Sequence, residues 1–170
     1  MFETKNLIIK KGCMEDAYDM HVNIWSQEES AKYMLWRVSE NLDQSKSRIV
    51  KWLDRQKDND DWFVYDKNTN KAIGFCGINK LDENKFGDIG VGVGKKFTNK
   101  GYGSQILTML IEYAKSLGAK EIEYSCMSEN IASKKLAEKF GFKYFKTGKI
   151  VRKWDNKEFD LDYYILEIKE

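Results

Sequence analysis

The 170-residue chain contains no proline, one histidine and three cysteines. With no proline and no glycine- or serine-rich linker, nothing in the composition marks a boundary. Residues 1–170 are therefore expected to form one domain, at roughly one domain per 150 residues. A histidine-based triad or a zinc site would have to use His21, which lies in a helix-like segment away from any cysteine or acidic cluster; no metal is expected. Cys13, Cys76 and Cys126 are odd in number and far apart, which fits reduced thiols better than a disulfide framework. No apolar run reaches about 18 residues, and Met1 to Lys11 reads as a strand rather than a signal peptide. The expectation is a cytoplasmic protein without a membrane partner. A charge excess is also missing: 29 basic against 27 acidic residues leave +2, and no basic stripe points to nucleic acid.

What is present is a change of period along the chain. Met14 to Ile24 and Leu42 to Gln56 carry apolar residues at helical spacing, with Tyr18, Val22 and Trp25 on one side of the first and Ile49, Trp52 and Leu53 on one side of the second. Strand-like runs follow at Trp62–Tyr65, Ala72–Ile78 and about Gly87–Val93, separated by turn-rich Lys67–Asn70 and Asp82–Lys85. An amphipathic helix begins near Tyr102 and stops at Gly118, before the strand Glu121–Ser125. A short helix Asn130–Lys139 and the strands Phe142–Ile150 and Leu161–Ile168 end the pattern. With a first strand at Leu7–Ile9, the order predicts an α/β fold with a central mixed, twisted sheet of about seven strands and about four helices.

Two glycine features stand out. Gly90 and Gly92 weaken a strand unless something needs its backbone bare, such as a ligand lying along it; otherwise they read as glycines for strand and turn geometry only. Gly101 and Gly103 sit where the chain enters the long helix, whose unpaired N–H groups and positive dipole end form an anion site. The spacing matches neither the dinucleotide fingerprint nor the Walker loop.

The chain resembles the GNAT superfamily of acyl-CoA-dependent N-acyltransferases. Thr98-Asn99-Lys100-Gly101-Tyr102-Gly103 corresponds to the superfamily's Gln/Arg-x-x-Gly-x-Gly/Ala loop, Asn130-Ile131-Ala132-Ser133 to its Asn-x-x-Ala/Ser, and Glu138-Lys139-Phe140-Gly141-Phe142 to its closing Glu-Lys-x-Gly-Phe. Asp88-Ile89-Gly90, spaced without a gap from Gly101-Tyr102-Gly103, and Tyr33-Met34-Leu35-Trp36 are similar to the branch that acetylates ribosomal-protein amino termini. Thr98 departs from the long side chain usual at its position. Ala137 stands where many members place a tyrosine that protonates the departing thiolate.

The resemblance implies acetyl-CoA as cosubstrate and an amine as acceptor, with a homodimer left open. It implies that Val91, Gly92 and Val93 pair with the pantetheine arm and that the N–H groups from Thr98, Asn99, Lys100, Gly101, Tyr102, Gly103 and Ser104 surround the pyrophosphate. Lys100 reads equally as a rim charge or a solvated lysine. Asp88 takes the position of a general base, or is a strand-start charge paired with a lysine. Asn130 and Ser133 read as the cap and third residue of a helix, or as a cofactor contact and a general acid. Tyr33 and Trp36 are expected to face the acceptor, whereas Trp52 is expected in the core. Deprotonating a lysine of pKa about 10.4 at pH 7 costs about 4.6 kcal/mol, against about 1.4 kcal/mol for an α-amino group near 8, so a short carboxylate suits the latter. The expected activity is acetyl transfer to a primary amine, with a peptide amino terminus as acceptor. Alternatives are a small-molecule amine acetyltransferase, a weakly catalytic acyl-CoA-binding module and a nucleotide-binding regulatory domain.

Overall fold

The computed structural model describes residues 1–169. Its eight strands are β1 (Phe2–Glu3), β2 (Leu7–Lys10), β3 (Asp61–Asp66), β4 (Ala72–Asp82), β5 (Lys85–Val93), β6 (Glu121–Met127), β7 (Lys143–Arg152) and β8 (Lys157–Glu167). Five α-helices accompany them: α1 (Ala17–Met20), α2 (Glu28–Ala31), α3 (Leu42–Arg55), α4 (Tyr102–Ser116) and α5 (Ile131–Lys139). All strands join one sheet in the order β1, β2, β3, β4, β5, β6, β8, β7. The α/β expectation holds, with one more strand and one more helix than expected. The additions, β1 and α2, span two and four residues, too short for a periodicity to show.

Strand β3 shows how the sheet collects its core. Every residue of Asp61–Asp66 is buried, and the side chains alternate between faces. Trp62 and Val64 join α4 residues Ile106, Leu107 and Leu110 in one cluster, while Phe63 and Tyr65 join Met20, Ile24, Trp25 and Ile49 in a second. Cys76 and Cys126 are buried free thiols, and burial raises the pKa of each.

The first helical segment corrects one expectation. Tyr18 is exposed, and the inward residues are Ala17, Met20, Ile24 and Trp25. From His21 to Trp25 the backbone is a π-helix, and the Ser26 N–H reaches the His21 carbonyl at 3.1 Å. This wider turn rotates the face that a regular period assigns. His21 itself hydrogen-bonds Ser45 of α3 at 2.9 Å through Nδ1.

Two features of β5 create the site. Its parallel pairing with β6 covers only Lys85 opposite Glu121 and Phe86 opposite Ile122, after which no further register pairs join the two strands. Against β4, Gly77 faces Gly90 and Asn79 faces Gly87, so Asp88 and Ile89 together oppose Ile78. This is a bulge, and Asp88 sits in it at φ +50°, a left-handed conformation that aspartate tolerates better than most residues.

Candidate active site

A cleft opens where β5 and β6 part. Val91, Gly92 and Val93 form one wall, Tyr124, Asn130, Ser133 and Leu136 the other, and the loop into α4 closes the end. Beyond Phe86, one edge of β5 has no strand partner, leaving backbone groups for an extended ligand. Gly92 has a packing reason to be bare: a Cβ there would lie 2.4 Å from the ring of Phe75, its cross-strand neighbour. Gly90 has no such constraint.

At the closed end, Asn99 and Gly101 both adopt left-handed conformations, with φ +61° and +74°. The first intrahelical bond of α4 runs from the Gln105 N–H to the Gly101 carbonyl at 3.2 Å, and no side chain caps the helix. The N–H groups of Tyr102, Gly103 and Ser104 are thus free of intrahelical acceptors and line up at the positive dipole end. Lys139 of α5 reaches this point, its ammonium donating to Ser104 Oγ at 3.0 Å. Thr98 and Asn99 line the cleft, whereas the Lys100 side chain lies near Phe97, 5.7 Å from its ring centre. Tyr102 contributes its backbone, because its buried hydroxyl turns away to Asp66 at 3.3 Å.

Asn130 accepts from the Ser133 N–H at 3.2 Å through Oδ1, so the capping role is visible directly. The Ser133 hydroxyl lies 2.7 Å from that of Tyr124 on β6. Burial pushes the Tyr124 phenol up to about 12, with the Ser133 hydrogen bond acting in the opposite direction. Ala137 is fully buried in the same core cluster as Tyr124. The tyrosine hydroxyl at this cleft therefore comes from a strand rather than from α5.

A second cavity adjoins the first, with Tyr33 common to both. It brings Asp88 and Tyr33 together with Glu123, Ile150, Leu161 and Tyr163. Asp88 is exposed and makes no ion pair among the described residues, so it is not the lysine-paired charge that its position also allowed. Trp36 lines neither cavity. It is half-buried against the second core cluster, with the Arg48 guanidinium 4.9 Å from its ring centre. Trp52 packs on Phe63 and Phe75, with ring centres 5.1 and 5.7 Å apart.

Sequence reasoning missed Tyr124 and Lys139 as site residues. Tyr124 occupies an inward position of an alternating strand and reads as core. Lys139 was legible only as part of the closing Glu-Lys-x-Gly-Phe motif.

Residues 6–143 match the family model described as "Acetyltransferase (GNAT) domain". The chain belongs to the GNAT acetyltransferase family. An uncharacterized N-acetyltransferase p20 of Bacillus licheniformis is 32% identical over 143 residues, 82% of this chain and 80% of that one. Among solved structures, the microcin C7 self-immunity acetyltransferase MccE, in complex with acetyl-CoA and AMP, superposes with a TM-score of 0.81 at 20% identity, covering 97% of this chain and 94% of that one. A Salmonella typhimurium acetyl transferase that modifies the N-terminal serine of 50S ribosomal protein L7/L12 gives a TM-score of 0.77 at 16% identity, covering 98% and 97%. The protein is a GNAT-type N-acetyltransferase. No helix is long and apolar enough to cross a membrane among the described residues.

Proposed function

We propose that acetyl-CoA lies in the cleft between β5 and β6 and that a primary amine attacks its thioester directly from the Asp88 side. The observation that carries this reading is the parting of the strands: one wall bears the Asp88 bulge, the other bears the Tyr124–Ser133 pair, and the end carries unpartnered helix N–H groups. The free edge of Val91–Val93 suits the pantetheine amides. The N–H groups of Tyr102, Gly103 and Ser104 suit the pyrophosphate, with Lys139 as the neighbouring cation.

The amine nitrogen forms a bond to the thioester carbonyl carbon as the carbon–sulfur bond breaks. Asp88 accepts the amine proton through water, and the thiolate leaves with the electron pair. Complete proton transfer from Tyr124 to that thiolate is uphill: from about 12 to a thiol near 8.5, the cost is about 5 kcal/mol. Tyr124 instead stays protonated and donates to Ser133, which frees the serine hydrogen to point at the sulfur. Ser133 stabilises the thiolate by a hydrogen bond, and solvent supplies the proton.

An α-amino acceptor agrees with the short reach of Asp88, and with the acceptor of the Salmonella neighbour. An acetyl-CoA-dependent thiol-release screen over amines and peptide termini tests the activity. Asp88→Asn keeps a side chain that tolerates the left-handed bulge, so it isolates the carboxylate. It should lower kcat about a hundredfold or more with acetyl-CoA affinity preserved. Retained turnover with an unchanged pH–rate profile would remove Asp88 from the mechanism.

A further inference from the structure

Resting on the transferase reading, we propose that the acceptor presents one positive charge on an apolar or aromatic body, and that polyamines and aminoglycosides are poor acceptors. The second cavity, about 350 Å³, carries the argument. Leu161, Ile150 and Ile89 lie in its walls beside the rings of Tyr33 and Tyr163, and Ser125, Asp88 and Glu123 supply its polar side. Two carboxylates reach it, but they are not equivalent. Glu123 is 3.1 Å from the Lys85 ammonium, which also holds Glu121 at 2.9 Å. Asp88 has no ion-pair partner among the described residues and is the carboxylate left for an incoming ammonium.

Other cations are already placed at these walls. The Lys32 ammonium lies 5.1 Å from the Tyr33 ring centre, and that of Lys146 lies 4.9 Å from the Tyr163 ring centre. A polycation would bring further charges toward these lysines, with no second free carboxylate in the cavity among the described residues to receive them. Burying an unpaired charge is costly, whereas burying a carbon-rich body beside one paired ammonium is favourable. Free monoamines and peptides with an apolar first residue share this chemistry.

The test compares kcat/KM, with acetyl-CoA fixed, for phenethylamine, phenylalanine amide, a phenylalanine-initiated peptide, spermidine and an aminoglycoside. At least one of the first three should exceed both polycations by tenfold or more. Acceptance of the peptide alone assigns the chemistry to a protein terminus, and acceptance of the small amines assigns it to free amines. Ile150→Asp puts a carboxylate on the half-exposed edge strand, and should raise spermidine relative to phenethylamine about tenfold while acetyl-CoA affinity stays as in the parent. Equal or better use of spermidine or the aminoglycoside by the unaltered protein would overturn the acceptor assignment and leave the transferase reading standing. No thiol release with any amine, despite acetyl-CoA binding, would overturn both.

Discussion

At the scale of single residues, the pair Tyr124 and Ser133 separates this chain from the motif it otherwise follows. Their hydroxyls are 2.7 Å apart at the cleft wall, while the α5 position that often carries a tyrosine is a fully buried alanine. If the phenol orients the serine, Tyr124→Phe and Ser133→Ala should each reduce kcat about tenfold with little change in KM for acetyl-CoA. The double variant should lose scarcely more than either single one, because the two act as a unit. Steady-state kinetics on the four proteins checks this, and additive losses would assign the residues separate roles. A purely capping role for the Ser133 side chain would instead lower the melting temperature and leave turnover intact. The Asn130 side chain bonds the Ser133 backbone, so Ser133→Ala should leave that cap intact and the melting temperature close to the parent value.

At the scale of elements, the β5–α4 connection combines two glycines that are required for different reasons. Gly92 lies over the Phe75 ring, so Gly92→Leu overpacks the sheet face and should cost about 1–3 kcal/mol in denaturant unfolding. Gly101 has nothing within 4 Å of its would-be Cβ, but its φ of +74° starts α4. Gly101→Val should distort the helix start and weaken acetyl-CoA binding tenfold or more by calorimetry, about 1.4 kcal/mol. From sequence the two glycine pairs looked alike, as bare backbone for a ligand. The loop glycines were legible because a helix start has unpaired N–H groups whatever its side chains. Gly92 was not, because its constraint comes from Phe75, which is distant in sequence and meets it only through the strand register. The surroundings of Trp36 were not legible for a similar reason, since an aromatic at helical spacing does not show which neighbour, here Arg48, will cover it.

At the scale of the whole molecule, β8 inserts between β6 and β7 and ties the end of the chain to the cleft wall. Asp162 of β8 is 5% exposed and accepts from Ser128 at 2.7 Å, Thr147 at 2.7 Å and Lys134 at 3.0 Å, joining β7, α5 and the turn after β6. Burial raises its pKa, but these donors prevail and hold the carboxyl below its usual value. A carboxylate depressed in the folded state stabilises the protein above its unfolded pKa, about 3.9, and loses that contribution as pH falls toward the folded value. Asp162→Asn should therefore be less stable than the parent near pH 7, and the difference should narrow below about pH 4, as read from melting temperature across pH. The strand alternation and the β5-α4-β6 unit were legible because period and helix stops are local. Insertion of β8 was not, because pairing order depends on which edges remain free after the sheet has assembled.

In the proposed complex the parting of β5 and β6 holds acetyl-CoA, with its phosphates at the free N–H groups of α4. Backbone amide NMR during an acetyl-CoA titration tests it directly. The predicted result is that the largest and saturating shifts fall on Tyr102, Gly103 and Ser104 and on Val91 to Val93, with Lys100 and Trp36 changing little. Saturable binding that leaves the amides of Gly101 to Ser104 unmoved would contradict this placement.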